Sequence, residues 1–322
     1  MLKKFLFAVS AAILISMSST ANADLIEPLP ALPPIPAGNS MTPEKVELGK
    51  MLFFDPRLSG SNWISCATCH NPVMGYTDRL PRAFGHAMSE GPRNTPTVLN
   101  AAYIKVQFWD GRAATLEEQA LGPIQASVEM RQTLGGAVEN LKKVPEYREM
   151  FARVFGGDDP INPANIARAI ASFERTLTTP NSPFDRYLAG DKQALGPLAQ
   201  KGFDLFQNKG CIACHNGPAL TDGGFHIIKV PGSVDDGRFN VTKEESDRSA
   251  FRTPTLRNVE LTAPYFNNGS VNTLDEAVTV MGKQALNTNL APEEVDALTA
   301  FLKSLTGQLP VVDYPQLPYT KY

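Results

Sequence analysis

Two five-residue stretches decide the fold: Cys66-Ala67-Thr68-Cys69-His70 and Cys211-Ile212-Ala213-Cys214-His215. Two cysteines separated by two residues occur in redox dithiols and in zinc half-sites, but a histidine directly after them is typical of c-type haem attachment. In that chemistry the thiols add to the vinyl groups of haem and the histidine binds the iron. The chain has only four cysteines and four histidines, and the two motifs use all of the former. They predict two covalently attached haems.

Two alternatives use the same four cysteines. A single zinc ion could be shared by both pairs, or the cysteines could form disulfides, as in many exported proteins. Neither alternative requires the histidine that follows each pair.

The sequence around the first motif is repeated around the second. Segment 49–53 (Gly-Lys-Met-Leu-Phe) precedes the first motif and segment 202–206 (Gly-Phe-Asp-Leu-Phe) precedes the second. Downstream, segments 95–118 and 253–276 share Thr-Pro-Thr, Asn, Gly and Thr-Leu-acid-Glu at identical internal spacing. The motifs lie 145 positions apart and the downstream segments 158, so the second half carries 13 extra residues, which we place in a loop around 223–246. This repeat predicts two fused copies of one haem-binding domain.

Helix signals dominate the chain. Thr42-Pro43-Glu44 and Asn162-Pro163 each place a capping residue before a proline, which is typical of a helix start. Pro292 opens a last helix that we expect to include Leu305 and to end at Gly307. Strand patterns are few, so we predict a mainly α fold. We expect a proline-rich lead-in over 24–40 and domains over 41–180 and 181–322.

Residues 1–23 have the features of a signal peptide. Lys3 and Lys4 precede an apolar stretch, and Ala21-Asn22-Ala23 matches a cleavage site. An uncleaved anchor is the alternative, but the apolar run is shorter than the roughly 20 residues that a bilayer crossing requires. We expect export, cleavage near Ala23 and no membrane span in the mature protein.

The charge balance excludes one class of partner. The formal net charge is −3, and no run of lysine and arginine forms a concentrated basic face. Binding to a nucleic-acid backbone requires such a face, so we expect no nucleic-acid partner.

The ligand on the far side of each iron separates electron carriers from catalysts, because a sixth protein ligand leaves no position for a substrate. Met281 is the only methionine after His215, which makes it the candidate thioether ligand of the second iron. The alternative is that Met281 fills a gap in the core. The offset of 158 places Pro123 at the equivalent position of the first domain. We therefore expect the two irons to differ.

The first domain offers His86, Met74 and Met88 as distal ligands. Met74 follows His70 by four residues, too few to reach the opposite haem face comfortably. His86 lies in a loop bounded by glycine and proline, and a ligand on a loop can be displaced to admit a small molecule. The alternative for His86 is an ordinary surface histidine.

Seven further segments match a known family: 53–59 (Phe-Phe-Asp-Pro-Arg-Leu-Ser), 91–94 (Gly-Pro-Arg-Asn), 107–112 (Gln-Phe-Trp-Asp-Gly-Arg), 125–130 (Gln-Ala-Ser-Val-Glu-Met), 256–258 (Leu-Arg-Asn), 261–266 (Leu-Thr-Ala-Pro-Tyr-Phe) and 277–282 (Ala-Val-Thr-Val-Met-Gly). With them the chain resembles the bacterial dihaem cytochrome c peroxidases over nearly all of its mature sequence. In that family the N-terminal haem reduces peroxide and the C-terminal haem is a high-potential His/Met electron relay. The resemblance implies two cytochrome c-like domains in a periplasmic, homodimeric enzyme. It also implies hydrogen peroxide as substrate and a cytochrome c or blue-copper protein as electron donor.

The resemblance also implies residue roles. His70 would be the proximal ligand of the peroxidatic haem and His86 its removable distal ligand. Glu129 would be the acid–base group over the open iron, with Gln119 beside it. Trp109 would lie between the haems, with an ordinary core tryptophan as the alternative.

A calcium site at the domain interface is implied as well. Asn94, Thr262 and Pro264 match the family's calcium ligands, and they supply the oxygen atoms that a hard cation requires. One position departs from the family pattern: Asn267 stands where a histidine usually follows Tyr-Phe.

Two rival functions remain open. A non-catalytic dihaem electron carrier would keep both irons six-coordinate in all redox states. A related dihaem oxidase that matures a protein cofactor typically has tyrosine at the relay position, where this chain has Met281.

Overall fold

The computed structural model describes residues 26–319, so the predicted signal peptide lies outside the described residues. The predicted mainly α fold is confirmed, because one short two-stranded antiparallel sheet is the only sheet within 26–319. No helix in this range is long and apolar enough to cross a bilayer. The helices are α1 (Pro43–Phe54), α2 (Cys66–Cys69), α3 (Leu116–Gln125), α4 (Leu134–Lys142), α5 (Pro145–Phe155), α6 (Pro163–Glu174), α7 (Pro183–Leu188), α8 (Pro197–Asn208), α9 (Phe239–Thr242), α10 (Leu274–Ala285) and α11 (Pro292–Lys303), and the strands are β1 (Phe225–Ile227) and β2 (Ala250–Arg252).

Each half of the chain is built on a close crossing of two helices, α1 with α6 and α8 with α11. A Cβ atom on Gly49 would lie 1.8 Å from the carbonyl oxygen of Ala169, and one on Gly202 would lie 1.9 Å from that of Ala297. Real Cβ atoms cannot approach so closely, so glycine allows the backbones to touch. The glycines that begin the repeated sequence segments therefore mark a repeated helix crossing.

The predicted helix starts are confirmed at the first two sites. Thr42 accepts a hydrogen bond from the Lys45 amide at 3.2 Å, and Asn162 accepts one from the Asn165 amide at 3.0 Å. The predicted end of the last helix was wrong, because α11 ends at Lys303. Gly307 has a different role: a Cβ there would lie 2.0 Å from the carbonyl oxygen of Thr179, so it permits a close approach to the segment that joins the two halves.

Each half has its own large hydrophobic core. The first is formed by residues between Leu48 and Leu177, and the second by residues between Phe184 and Leu305 together with Ile26. Each core lies against one of the two repeated helix pairs.

The two ends of the described chain cross over between these cores. Ile26 belongs to the second core, and the amide of Leu29 donates to Asp185 at 3.0 Å. At the other end, the ring of Tyr314 packs edge-on against Phe54 of the first core at 5.1 Å. The N-terminal lead-in therefore packs on the second half, and the C-terminal segment packs on the first.

The interface between the halves is nearly symmetric. The offset of 158 pairs Asn94 with Arg252 and Trp109 with Asn267. The amide of Asn94 donates to the carbonyl of Asn267, and the amide of Arg252 donates to the carbonyl of Trp109, both at 2.8 Å. Such reciprocal contacts are those of a twofold dimer interface, here within one chain.

The extra loop of the second half strengthens this interface. Its Asp235 accepts hydrogen bonds from the Arg93 guanidinium at 2.6 and 2.9 Å, and Arg93 also pairs with Asp110 at 2.6 Å. Arg238 donates to the Asp110 carbonyl at 3.2 Å. The insertion thus extends the contact that the repeat alone provides.

Candidate haem sites

Each motif histidine is oriented by a backbone carbonyl; His215 is buried and His70 is half-buried. Nδ1 of His70 lies 3.2 Å from the carbonyl oxygen of Tyr76, and Nδ1 of His215 lies 3.3 Å from that of Leu220. This contact directs Nδ1–H to the backbone and leaves Nε2 for a metal. Burial lowers the pKa of both imidazoles, that of His215 to about 4, so both are neutral, as metal ligands must be.

The first motif opens into a cavity of about 190 Å³. The side chains of Cys66, Cys69 and His70 lie on its wall, as do Gln119 and Glu129. All four cysteines of the chain are unpaired thiols. A cavity that presents two free thiols beside a neutral imidazole fits a covalent haem c.

The second motif opens into a cavity of about 360 Å³ lined by Cys211, Cys214 and His215. Met281, on α10, lines the same cavity, whereas Pro123, on α3, lines the first one. The structure therefore places a thioether in one cavity and a proline at the equivalent position of the other.

The geometry does not support the zinc and disulfide alternatives. The two cysteine pairs line different cavities, and within residues 26–319 no disulfide forms. The one group of three potential metal ligands in that range, Cys214, Asp222 and His226, contains a single cysteine. That cysteine belongs to the second haem motif.

Glu129 lies in the turn that follows α3. Its amide donates to the carbonyl of Ala126 at 3.0 Å, which fixes the turn. Burial raises the pKa of the Glu129 carboxyl, and the nearby Arg112 guanidinium partly opposes this effect. Arg112 also lines the cavity and lies 3.4 Å from the centre of the Phe108 ring. The arrangement gives a carboxyl group that can hold a proton beside the cavity.

The loop that carries His86 is docked on the Glu129 backbone. The amide of His86 donates to the carbonyl of Glu129 at 2.7 Å, and a Cβ on Gly85 would lie 2.1 Å from the Val128 carbonyl. Gly85 lines the first cavity, but His86 is not among the described residues that do so. Nδ1 of His86 is buried without a hydrogen-bond partner.

Trp109 lines both cavities. Its indole nitrogen donates to the carbonyl of Asn94 at 2.9 Å, and its ring meets Phe251 edge-on at 6.5 Å. The side chain is therefore held between the two candidate haem positions by contacts from both halves.

Sequence reasoning missed a second carboxyl in the first cavity. Glu174 is 4% exposed, and its Oε2 has no hydrogen-bond partner. Burial raises the pKa of this carboxyl to about 8. Gly49 meets Ala169 on α6 as Gly202 meets Ala297 on α11, and this correspondence places Leu302 of the second cavity at the position of Glu174. The acid therefore distinguishes the two sites. The sequence carried one signal for it: Glu174 follows Ile166 and Ile170 at four-residue spacing, which places this acid on the apolar, buried face of α6.

Of the residues matched to a calcium site, Asn94 lies at the interface between the two halves. Asn94 is buried, and its amide hydrogen bond to Asn267 brings it to the segment that carries Thr262 and Pro264. Nδ2 of Asn94 donates to the Leu80 carbonyl at 2.9 Å, which leaves the side-chain oxygen for another partner. Neutral oxygens of this kind are ligands for calcium.

Two family models cover most of the chain. The model for di-haem cytochrome c peroxidase matches residues 43–193, and the model for cytochrome c matches residues 199–306.

Individual relatives agree with these models. A cytochrome c551 peroxidase from Pseudomonas aeruginosa is 48% identical over 305 residues, covering 91% of this chain and 88% of its own. The methylamine utilization protein MauG from Methylorubrum extorquens is 42% identical, covering 88% and 84%. A solved MauG-like protein associated with microbial copper homeostasis superposes with a TM-score of 0.78 at 30% identity, over 88% of this chain and 95% of that one. The chain therefore belongs to the di-haem cytochrome c peroxidase family.

Proposed function

We propose that this chain is a periplasmic peroxidase that reduces hydrogen peroxide to water with electrons from a small redox protein, a cytochrome c or a blue-copper protein. The observation that carries the proposal is the difference between the two cavities. Met281 faces the second one, while the first combines a proline at the equivalent position with Glu129 and Gln119. One site is built to hold a sixth ligand and the other to admit a substrate.

The overall reaction takes one peroxide, two electrons and two protons to two waters. A haem c in the first cavity supplies the iron at which peroxide is reduced. Glu129 would take a proton from one oxygen of peroxide and return it to the other, which leaves as water; this is general acid–base catalysis. Gln119 orients the peroxide beside that carboxyl by hydrogen bonding, and Arg112 stabilises negative charge there.

Electrons enter through the second half and cross at Trp109. His215 and Met281 hold the relay site, and Trp109 touches both cavities. His86 would close the first site in the resting state and leave it when the relay is reduced. Because His86 is not among the described residues that line the first cavity, the structure is consistent with the open form.

The proposal is tested by mixing the haem-loaded protein with peroxide and a reduced c-type cytochrome. We expect two cytochromes to be oxidised for each peroxide consumed. A non-catalytic electron carrier would exchange electrons with the cytochrome and leave the peroxide unchanged. Met281 supports the peroxidase over the cofactor-maturing oxidase, because that oxidase typically has tyrosine at the relay position.

Met281→His is expected to keep both haems attached and to lower the reduction potential of the relay haem. Imidazole stabilises ferric iron more than a thioether does, so electron delivery and turnover should slow. Spectroelectrochemical titration of both haems measures the effect. Met150→Leu, at a half-buried position on α5 of the other half, is the matched control. Unchanged potentials for both haems would show that Met281 is not a ligand.

We also propose that calcium links the two halves through Asn94, Thr262 and Pro264 and favours the active homodimer. Exhaustive chelation is expected to lower peroxide turnover and to weaken the dimer, while both haems stay covalently attached. Activity and sedimentation measured before and after calcium is restored test this expectation. Full activity and an unchanged dimer in calcium-free protein would contradict it.

A further inference from the structure

Arg252 is the second side chain that touches both cavities. Among the described residues, Trp109 and Arg252 alone line the two cavities together. Arg252 ends strand β2 and is 5% exposed. Its amide donates to the Trp109 carbonyl, so the two residues are fixed to one another. Its guanidinium bonds to Phe108, which lines the first cavity, and to Thr253, which lines the second, so it lies where the two sites approach.

The guanidinium of Arg252 has only neutral partners within residues 26–319. Nε donates to the Phe108 carbonyl at 3.2 Å, and one terminal nitrogen donates to the Thr253 carbonyl at 3.0 Å. Three other arginines with well-buried side chains in this range, Arg93, Arg175 and Arg257, each pair with a carboxylate at 2.6 to 2.8 Å. Burial without a counter-charge lowers the pKa of Arg252 to about 10.

A buried cation is expected to have an anionic partner, because desolvation of an unpaired charge is expensive. Haem c carries two propionate carboxylates, and both cavities that receive haem border Arg252. Its planar guanidinium has five N–H donors in a fork that matches carboxylates. The donors left over by the two backbone carbonyls are available for such contacts.

We propose that Arg252 is a shared anchor for haem propionates, pairing with one carboxylate from each haem at the interface between the two halves. The inference rests on the proposed two-haem function. Arg252 then acts as a positioning residue, because it holds both haems in fixed relation to Trp109. Its positive charge also favours the reduced state of each iron, since reduction adds negative charge nearby.

The test compares Arg252→Gln with Arg248→Gln in the full, haem-loaded protein. Both changes remove one positive charge, but Arg248 is half-exposed and pairs with Asp236 and Glu245 away from the cavities. We expect Arg252→Gln to shift both reduction potentials downward at low and at high salt, because buried pairs are weakly screened. Arg252→Lys, which keeps the charge, should shift both reduction potentials much less than Arg252→Gln does. Arg248→Gln should leave both potentials unchanged.

The proposal would be overturned if Arg252→Gln kept both haems attached and had the same two reduction potentials as Arg248→Gln. A shift confined to one haem would overturn its shared character. Redox difference infrared spectra with ¹³C-labelled propionates give a readout that does not need the Gln variant to fold. Arg252→Lys should move the labelled carboxylate bands, and unmoved bands would contradict the pairing. If the wild-type protein carried no covalently attached haem, the proposed function itself would be refuted.

Discussion

Glu129→Gln is expected to lower peroxide turnover by 10²- to 10⁴-fold. The amide keeps the size of the side chain and its place in the first cavity, but it cannot carry the proton between the two oxygens of peroxide. Loss of general acid–base catalysis has this magnitude, which corresponds to roughly 3 to 5 kcal/mol of activation free energy. Steady-state oxidation of a reduced cytochrome by peroxide measures the loss.

The control for this variant is Glu139→Gln, the same chemical change on the exposed face of α4. It should leave turnover unchanged. Electron exchange between the donor and the relay haem should also be unchanged in Glu129→Gln, because Glu129 is not a lining residue of the second cavity. Near-normal turnover of Glu129→Gln with two haems attached would remove Glu129 from the mechanism. The proton would then travel through water.

Gly49→Ala and Gly202→Ala are each expected to destabilise one half of the protein by about 3 kcal/mol or more. The added methyl group would meet the backbone carbonyl of Ala169 or Ala297 at less than 2 Å, so the crossing helices must separate. Each core packs against its own helix pair, and its haem site should loosen with it. Thermal unfolding followed by the absorbance of the haems, with circular dichroism, measures the effect.

Gly135→Ala on α4 is the matched control, because no atom lies within 4 Å of the Cβ that the substitution would add. Alanine has the higher helix propensity, so this variant should be as stable as the wild type or more stable. If Gly49→Ala and Gly202→Ala were as stable as Gly135→Ala, the helix crossings would not be as close as described.

The sequence could predict the features that repeat or that belong to a fixed motif. The two Cys-x-x-Cys-His stretches predicted both haem sites, and the offset between the halves correctly placed Met281 and Pro123 in corresponding cavities. The repeated glycines Gly49 and Gly202 lie at equivalent helix crossings. Such signals are local or periodic, so a single sequence carries them.

Features that depend on contacts distant in sequence could not be read in the same way. Arg252 borders the first cavity only because the two halves fold face to face, and no local pattern indicates this. Helix α11 ends at Lys303, before Leu305, and Gly307 instead approaches Thr179 at the junction of the two halves. The loop position of His86 beside Glu129 likewise depends on tertiary packing.

We propose that the first iron site is open to a small molecule while His215 and Met281 close the second. The most direct measurement is a cyanide titration of the half-reduced, haem-loaded protein, followed by optical and electron paramagnetic resonance spectra. The structure predicts one tightly bound cyanide per two haems, with spectral change confined to the first haem. Two equivalents bound, or none, would contradict the claim.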